Sequence, residues 1–142
     1  MTTTSTPLAL THISEGKYTN TIYSYIKDQK FAEVIKILTN ELQSFPDSRA
    51  ALSLLAYCNF QVQDFAKATN YYEQLVRLHP EVENYKLFYA QSLYKAGQYA
   101  AAQNACFSVE DPAFSHKVNM TKTRAKYFSD ENWSGFEIAS SN

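Results

Sequence analysis

The sequence is short of the residues that interrupt helices or cross-link chains. Its 142 residues include three glycines, four prolines and two cysteines. So little glycine and proline argues against a β-sandwich or a linker-rich chain and favours an all-helical protein. The formal net charge is −1, and the chain lacks the basic stripe that nucleic-acid-binding domains carry, so no nucleic-acid partner is expected.

The chain also lacks a recognisable constellation for catalysis or metal binding. Cys58 and Cys106 show neither metal-ligand spacing nor a CxxC pair, so we expect small buried hydrophobic residues in a reducing compartment. The histidines are scattered, the acidic pairs fall in expected turns or helix ends, and the glycines form no phosphate-binding loop. We therefore expect no enzyme, no metal, no cofactor and no small-molecule substrate.

Long hydrophobic runs are missing as well. No stretch approaches the ~20 apolar residues of a membrane span, and the N-terminus has no basic segment followed by an apolar one, as a signal peptide would. We expect no membrane insertion, and the predicted class is a soluble, intracellular, helical protein. Residues 1–14 are rich in threonine and serine without periodicity, which predicts a disordered tail.

The stretch from Arg49 to Pro80 predicts two amphipathic helices joined by a short turn. Asp64 stands where the N-cap of the second helix is expected, and Pro80 cannot continue that helix. Apolar residues recur at helical spacing rather than at the period of two that marks a strand. The positions are Leu52, Leu55 and Cys58 in the first helix, and Phe65, Ala68, Tyr72 and Leu75 in the second.

This helix pair repeats along the chain with a period of 34 residues. The large aromatic residues that keep the period are Phe31, Phe65, Tyr99 and Trp133, and Pro46 and Pro80 are spaced likewise. A 34-residue helix-turn-helix period is the signature of the tetratricopeptide repeat, or TPR. The predicted fold class is thus all-α, a right-handed α-solenoid of TPR units.

The period divides the chain into repeats at residues 15–48, 49–82 and 83–116, followed by a partial or degenerate fourth repeat at residues 117–142. In the third repeat, Asp111 and Pro112 are expected to end the second helix two residues early. After Ser129 the sequence is too short and polar for a full second helix. We therefore expect a piece of a longer solenoid; the alternative is that a last short helix caps the stack.

Several stretches resemble the N-terminal region of a known TPR family, the intraflagellar transport TPR subunit, also called tetratricopeptide repeat protein 30 or fleer. These stretches are residues 18–50, 48–81, 85–99 and 111–114, and the resemblance covers roughly residues 15–130. It implies a non-enzymatic scaffold subunit of intraflagellar transport complex B that wraps a TPR superhelix around a proline-rich segment of another subunit. It also implies a place in the cilium or flagellum and in the cytoplasm around the basal body, a need for this protein in cilium assembly, and a link to polyglutamylation of axonemal tubulin.

The expected partner surface is the inner side of the solenoid, which the first helices of successive repeats line. Repeat positions two, five, nine, twelve and thirteen face it. Tyrosines with amide and lysine neighbours suit an extended peptide, by stacking on prolines and bonding to its backbone. Ile26, Phe60 and Leu87 fall at these repeat positions, and for these three residues the alternative is a place in the core between repeats. The predicted concave face comprises Tyr23, Lys27, Ser53, Tyr57, Phe60, Asn84, Gln91, Tyr94 and Lys95.

A second TPR function stays open, that of a co-chaperone or adaptor that binds a peptide C-terminus. Such domains hold the terminal carboxylate with a clamp of lysine, asparagine and arginine side chains. At the matching positions this chain has Thr19 and Tyr23 in the first repeat, and Asn84 and Phe88 in the third. Because most of the clamp is missing, the scaffold function is favoured.

Overall fold

The computed structural model describes residues 15–129. Predictions about residues 1–14 and 130–142, including Trp133, lie outside that range. Helices account for nearly all of the secondary structure in the described range, which contains no strand, and the all-α prediction is confirmed there. The helices are α1 (Glu15–Lys27), α2 (Phe31–Ser44), α3 (Arg49–Gln61), α4 (Phe65–Leu78), α5 (Glu83–Lys95), α6 (Tyr99–Cys106) and α7 (Ser115–Ser129), with a 3₁₀ turn (Pro112–Phe114) before α7.

Helix boundaries follow local capping and turn chemistry. Helix α1 begins at Glu15, and α2 runs from Phe31 to Ser44. Ser48 caps α3, because its Oγ accepts the Ala51 N–H at 3.2 Å and so satisfies one of the free amides of the first turn. Among the described residues, no helix combines the length and the apolar character needed to cross a membrane.

The first compact unit ends at Asp64 and contains α1 to α3. Helix α2 packs against both α1 and α3. The polar residue Asn59 is buried in α3. Its Nδ2 donates to the Leu55 carbonyl at 2.8 Å, so the buried amide has a hydrogen-bond partner. The apolar positions predicted for α3, Leu52, Leu55 and Cys58, are confirmed, because all three side chains are fully buried. Ile22 of α1 and Val34 and Leu38 of α2 are fully buried as well.

The second compact unit begins at Phe65 and contains α4 to α7. Each helix packs against the next along the chain, and α7 also contacts α5. Ala68, Ala90 and Ala102 are fully buried. Small side chains at these points let helix axes approach to about 8–10 Å. Leu93, Ala102 and Ala125 join α5, α6 and α7 in one core cluster.

The 34-residue period is also visible in the backbone where α1, α3 and α5 end. Gln29, Gln63 and Gly97 each have positive φ, at 59°, 67° and 84°. In each turn the N–H of this residue bonds to the carbonyl three positions back, and the next N–H bonds to the carbonyl five positions back, at 2.8–3.1 Å. This is the Schellman motif, which satisfies the last carbonyls of a helix and reverses the chain.

Helix α6 is much shorter than the other second helices of the repeats. It has eight residues, against fourteen in α2 and α4. The prediction that Asp111 and Pro112 shorten it by two residues was wrong in extent, because the helix already ends at Cys106. The residues that follow, from Phe107 to Asp111, run without regular secondary structure before the 3₁₀ turn.

Candidate partner-binding surface

In the first unit, the predicted concave face begins on α1. Tyr23 and Lys27 are one helical turn apart and therefore project from the same side of α1. Both side chains are exposed, and Tyr23 keeps 54% of its surface accessible. A tyrosine ring beside a lysine presents a flat apolar surface next to hydrogen-bond donors.

Helix α3 carries three further members, Ser53, Tyr57 and Phe60, at spacing i, i+4, i+7 along one side. Tyr57 is 40% exposed, and its ring meets the Phe31 ring edge-on with the centroids 6.2 Å apart. Phe60 is half-buried, and the Ser53 Oγ donates to the Ala50 carbonyl at 3.1 Å. Tyr57 is thus in contact with a neighbouring ring and partly exposed to solvent.

In the second unit, all four members lie on α5. Asn84 and Lys95 are exposed, whereas Gln91 and Tyr94 are half-buried. The Lys95 Nζ stands 5.9 Å from the centroid of the Phe65 ring, at the range of a cation–π contact. Leu87, for which a core position was the alternative, is buried at 1% exposure, and Ile26 and Phe60 in the first unit are half-buried.

Tyr94 has a second environment that its sequence position did not reveal. Its ring centroid lies 5.7 Å from that of Tyr99 and 6.3 Å from that of Phe128. Tyr99 and Phe128 stack at 5.5 Å with 27° between the ring planes. We call these three residues the ring cluster. It joins α5, α6 and α7, so Tyr94 contributes to packing inside the second unit.

Glu83 is a charged residue in the second unit that sequence reasoning missed. Its Oε1 accepts the N–H of Glu110 at 2.7 Å and that of Asp111 at 3.0 Å, and its Oε2 accepts from Lys86 Nζ at 3.0 Å. The Lys86 hydrogen bond first, and the backbone N–H groups with it, hold the pKa of Glu83 below its usual range. Two of its partners are main-chain groups far along the chain, so no side-chain motif marks the interaction.

The two cysteines lie inside their units. Burial raises the pKa of Cys58 to about 11, and burial also raises the pKa of Cys106. The Cys106 Sγ approaches the Val118 carbonyl at 3.7 Å, so this thiol joins α6 to α7. A protonated thiol is a weak nucleophile and a poor metal ligand. Within residues 15–129, no group of three or more His, Cys, Asp or Glu residues could hold a metal ion.

Helices joined by Schellman turns at 34-residue spacing, with fully buried alanines, define an all-α protein of TPR-type helix-turn-helix repeats. The predicted concave-face residues all lie on the first helices α1, α3 and α5.

The sequence matches curated proteins of intraflagellar transport. The chain is 48% identical over 120 residues to Intraflagellar transport protein 70A of Xenopus laevis, which covers 84% of this chain and 18% of that protein. It is 45% identical over 123 residues to Intraflagellar transport protein 70A of Danio rerio, and this match covers 87% of this chain and 19% of that protein. It is 45% identical over 116 residues to Intraflagellar transport protein 70B of Homo sapiens, and this match covers 81% of this chain and 17% of that protein. This chain is homologous to a portion of intraflagellar transport protein 70, and the predicted family resemblance is confirmed.

The chain spans less than a fifth of the length of these relatives. A comparison with models of known protein families gave no match.

Proposed function

We propose that this chain contributes TPR repeats to a non-enzymatic scaffold subunit of intraflagellar transport complex B. The observation that carries the proposal is the 48% identity over 120 residues to a protein named for intraflagellar transport. The proposed place of action is the cilium or flagellum and the cytoplasm around the basal body. The proposed role is in cilium assembly, with a link to polyglutamylation of axonemal tubulin.

The proposed binding mode is capture of a proline-rich segment from another complex B subunit on the predicted concave face. Support comes first from the exposed rings of Tyr23 and Tyr57 in the first unit. Proline-rich segments adopt a preformed extended helix and dock on aromatic side chains. Because the Tyr57 ring already rests against Phe31, less side-chain entropy is lost when a proline packs on it.

The polar members of the face support the same partner chemistry. A proline has no N–H, so a proline-rich segment offers carbonyl acceptors and few main-chain donors. Lys27, Asn84 and Lys95 are exposed side chains that can donate to such carbonyls. Lysine and asparagine donors beside tyrosine rings therefore match both the shape and the hydrogen-bonding pattern of the proposed ligand.

The Tyr57→Ala variant tests this binding mode. Removing an exposed aromatic anchor at an interface costs about 1–2 kcal/mol, so we expect affinity for a labelled proline-rich peptide to fall about five- to thirtyfold. Fluorescence anisotropy measures the affinity, and far-UV circular dichroism checks that helicity is kept. A peptide of equal length with glycine and serine in place of proline serves as the reference ligand.

Phe45→Ala is the matched control, because Phe45 is also an exposed aromatic residue of the first unit, at 56%, but lies in the turn after α2. It is expected to bind the peptide like the unchanged chain. Equal affinity in the Tyr57 and Phe45 variants would contradict the predicted concave face. For Tyr94, the Tyr94→Phe variant tests the hydroxyl while retaining the ring cluster, whereas Tyr94→Ala would disturb packing as well.

The scaffold role is tested separately in ciliated cells. The tagged chain is expected to co-purify with subunits of complex B, identified by mass spectrometry. A peptide ending in a free carboxylate, added to the binding assay, addresses the adaptor alternative. Binding that depends on that carboxylate, without recovery of complex B subunits, would overturn the proposal.

A further inference from the structure

The connection between α6 and α7 departs from the pattern of the earlier repeats. In α2 and α4 the second helix runs for fourteen residues, but α6 stops after eight. Five residues, from Phe107 to Asp111, then lie outside any regular element. Main-chain N–H groups that a longer helix would bond internally need other acceptors here.

Every N–H group in this connection has an acceptor. Those of Phe107, Ser108 and Val109 bond to carbonyls three residues back, at 3.1–3.3 Å. The next two, from Glu110 and Asp111, both donate to Glu83 Oε1, at 2.7 and 3.0 Å.

Beyond that point the connection supplies its own acceptors. Pro112 has no N–H. The Ala113 N–H bonds to Asp111 Oδ1 at 2.9 Å, and the Phe114 N–H bonds to the Asp111 carbonyl at 3.0 Å. The Glu83 carboxylate therefore accepts the two consecutive amides that neither a local turn nor the Asp111 side chain satisfies.

The proline alone does not account for where α6 ends. Pro112 disfavours a helical conformation at Asp111 and removes one helical hydrogen bond, effects that reach about one turn back. The helix has nevertheless already ended at Cys106. Glu110 and Asp111 therefore need another contact that stabilises their non-helical conformation. The carboxylate of Glu83, the first residue of α5, provides it by accepting both N–H groups.

Lys86 holds the carboxylate in position for this contact. Its Nζ bonds to Glu83 Oε2 at 3.0 Å, one turn further along α5, which leaves Oε1 to the two amides. The side chains of Glu83 and Lys86 are 23% and 19% exposed. Charge-assisted hydrogen bonds of this kind are stronger than bonds between neutral groups.

We propose that Glu83 is a clasp that ties the α6–α7 connection to the start of α5 and keeps that connection out of the α6 helix. The clasp takes the place of helical hydrogen bonds in the third repeat. It thereby determines the path by which the chain passes from α6 into α7. This device belongs to the fold of the second unit and does not depend on the proposed partner.

Amide hydrogen exchange, resolved by NMR on the full chain, tests the clasp. In the unchanged chain the amides of Glu110 and Asp111 are expected to be protected, although both belong to an irregular segment. In the Glu83→Ala variant both should exchange about tenfold faster or more, while the amides of α4 keep their rates. Unprotected Glu110 and Asp111 amides in the unchanged chain would overturn the proposal whether or not the variant folds.

Glu33→Ala is the matched control, since Glu33 is an acidic residue in the first turn of α2 and is exposed. It removes the same charge from the start of a helix and is expected to leave the Glu110 and Asp111 amides unchanged. An equal loss of protection in both variants would show a general effect of charge and would reject the clasp.

The Pro112→Ala variant separates the clasp from the proline. With Glu83 present, the Cα chemical shifts of residues 107–111 are expected to stay non-helical after this substitution. If α6 instead extends through these residues, the proline alone ends the helix, and the proposed role of Glu83 is wrong.

Discussion

Single residues in the turns show how one backbone geometry recurs with different side chains. Gln29, Gln63 and Gly97 occupy the same left-handed position of three Schellman turns, and only the third is glycine. A left-handed conformation costs a residue with a Cβ about 1–2 kcal/mol relative to glycine. The two glutamines therefore bear a strain that Gly97 avoids.

The Gly97→Ala variant is expected to lower the free energy of unfolding by about 1 kcal/mol. The cause is conformational strain rather than collision, because a Cβ at this position would meet no heavy atom within 4 Å. Urea unfolding measures the change. Gln98→Ala, at the next position with φ of −92°, is the control and should stay within about 0.5 kcal/mol of the unchanged chain.

The converse substitution, Gln63→Gly, is expected to raise stability modestly. Relief of strain is partly offset by the greater freedom of glycine in the unfolded chain, so the net gain is about 0.5 kcal/mol. Urea unfolding again measures it. A loss of stability would mean that the Gln63 side chain makes contacts worth more than the strain.

The buried thiol of Cys58 makes the free energy of unfolding depend on pH in the alkaline range. Its folded pKa of about 11 lies above the ordinary value of 9.0, so the folded chain holds the thiol proton more tightly than the unfolded chain. The stabilising contribution is complete below pH 9 and is lost as pH rises toward 11. Thermal unfolding at pH 8 to 11 measures this loss, and Cys58→Ala should fall less steeply. Identical pH profiles would contradict it.

At the scale of elements, α7 shows how a helix of mostly polar sequence is held in place. Thr121 and Ala125 are its buried residues, and Phe128 brings an aromatic ring against α5 and α6. Gln103 Nε2 adds a hydrogen bond to Ser129 Oγ at 2.9 Å. The ring cluster thus adds an aromatic contact at the end of α7 to the packing of its small buried residues.

Phe128→Ala is expected to destabilise the second unit by about 2 kcal/mol, since a half-buried ring with three aromatic neighbours is removed. Met120→Ala is the control on the same helix, because Met120 is exposed and alanine favours helix. Urea unfolding followed by circular dichroism compares the two. Equal stability of both variants would show that the ring cluster contributes little.

At the scale of the whole molecule, the described chain comprises two compact units that meet in sequence between Asp64 and Phe65. The first unit carries the exposed Tyr23 and Tyr57, and the second carries Asn84 and Lys95. The homologous relatives are more than five times as long as the matched stretch. The proposed assembly in complex B therefore rests on a match to less than a fifth of the length of each relative.

Much of the helical structure was predictable from the local sequence. The predicted apolar positions Leu52, Leu55, Tyr72 and Leu75 are buried, because helical periodicity is a local property of the chain. The nine predicted concave-face residues lie on first helices as expected. Their exposure was not predictable, since the accessible area of Tyr94 depends on rings from two other helices.

The sequence alone determined the helical class, the 34-residue period and the family resemblance, because periodicity and residue identity need no knowledge of distant contacts. Tertiary structure alone decided that α6 ends at Cys106, that Phe128 meets Tyr94 and Tyr99, and that Glu83 binds the amides of the α6–α7 connection. These contacts join groups more than twenty residues apart, and those of Glu83 involve main-chain atoms that every residue type shares. Only the folded chain shows which of these main-chain N–H groups bond to the Glu83 carboxylate.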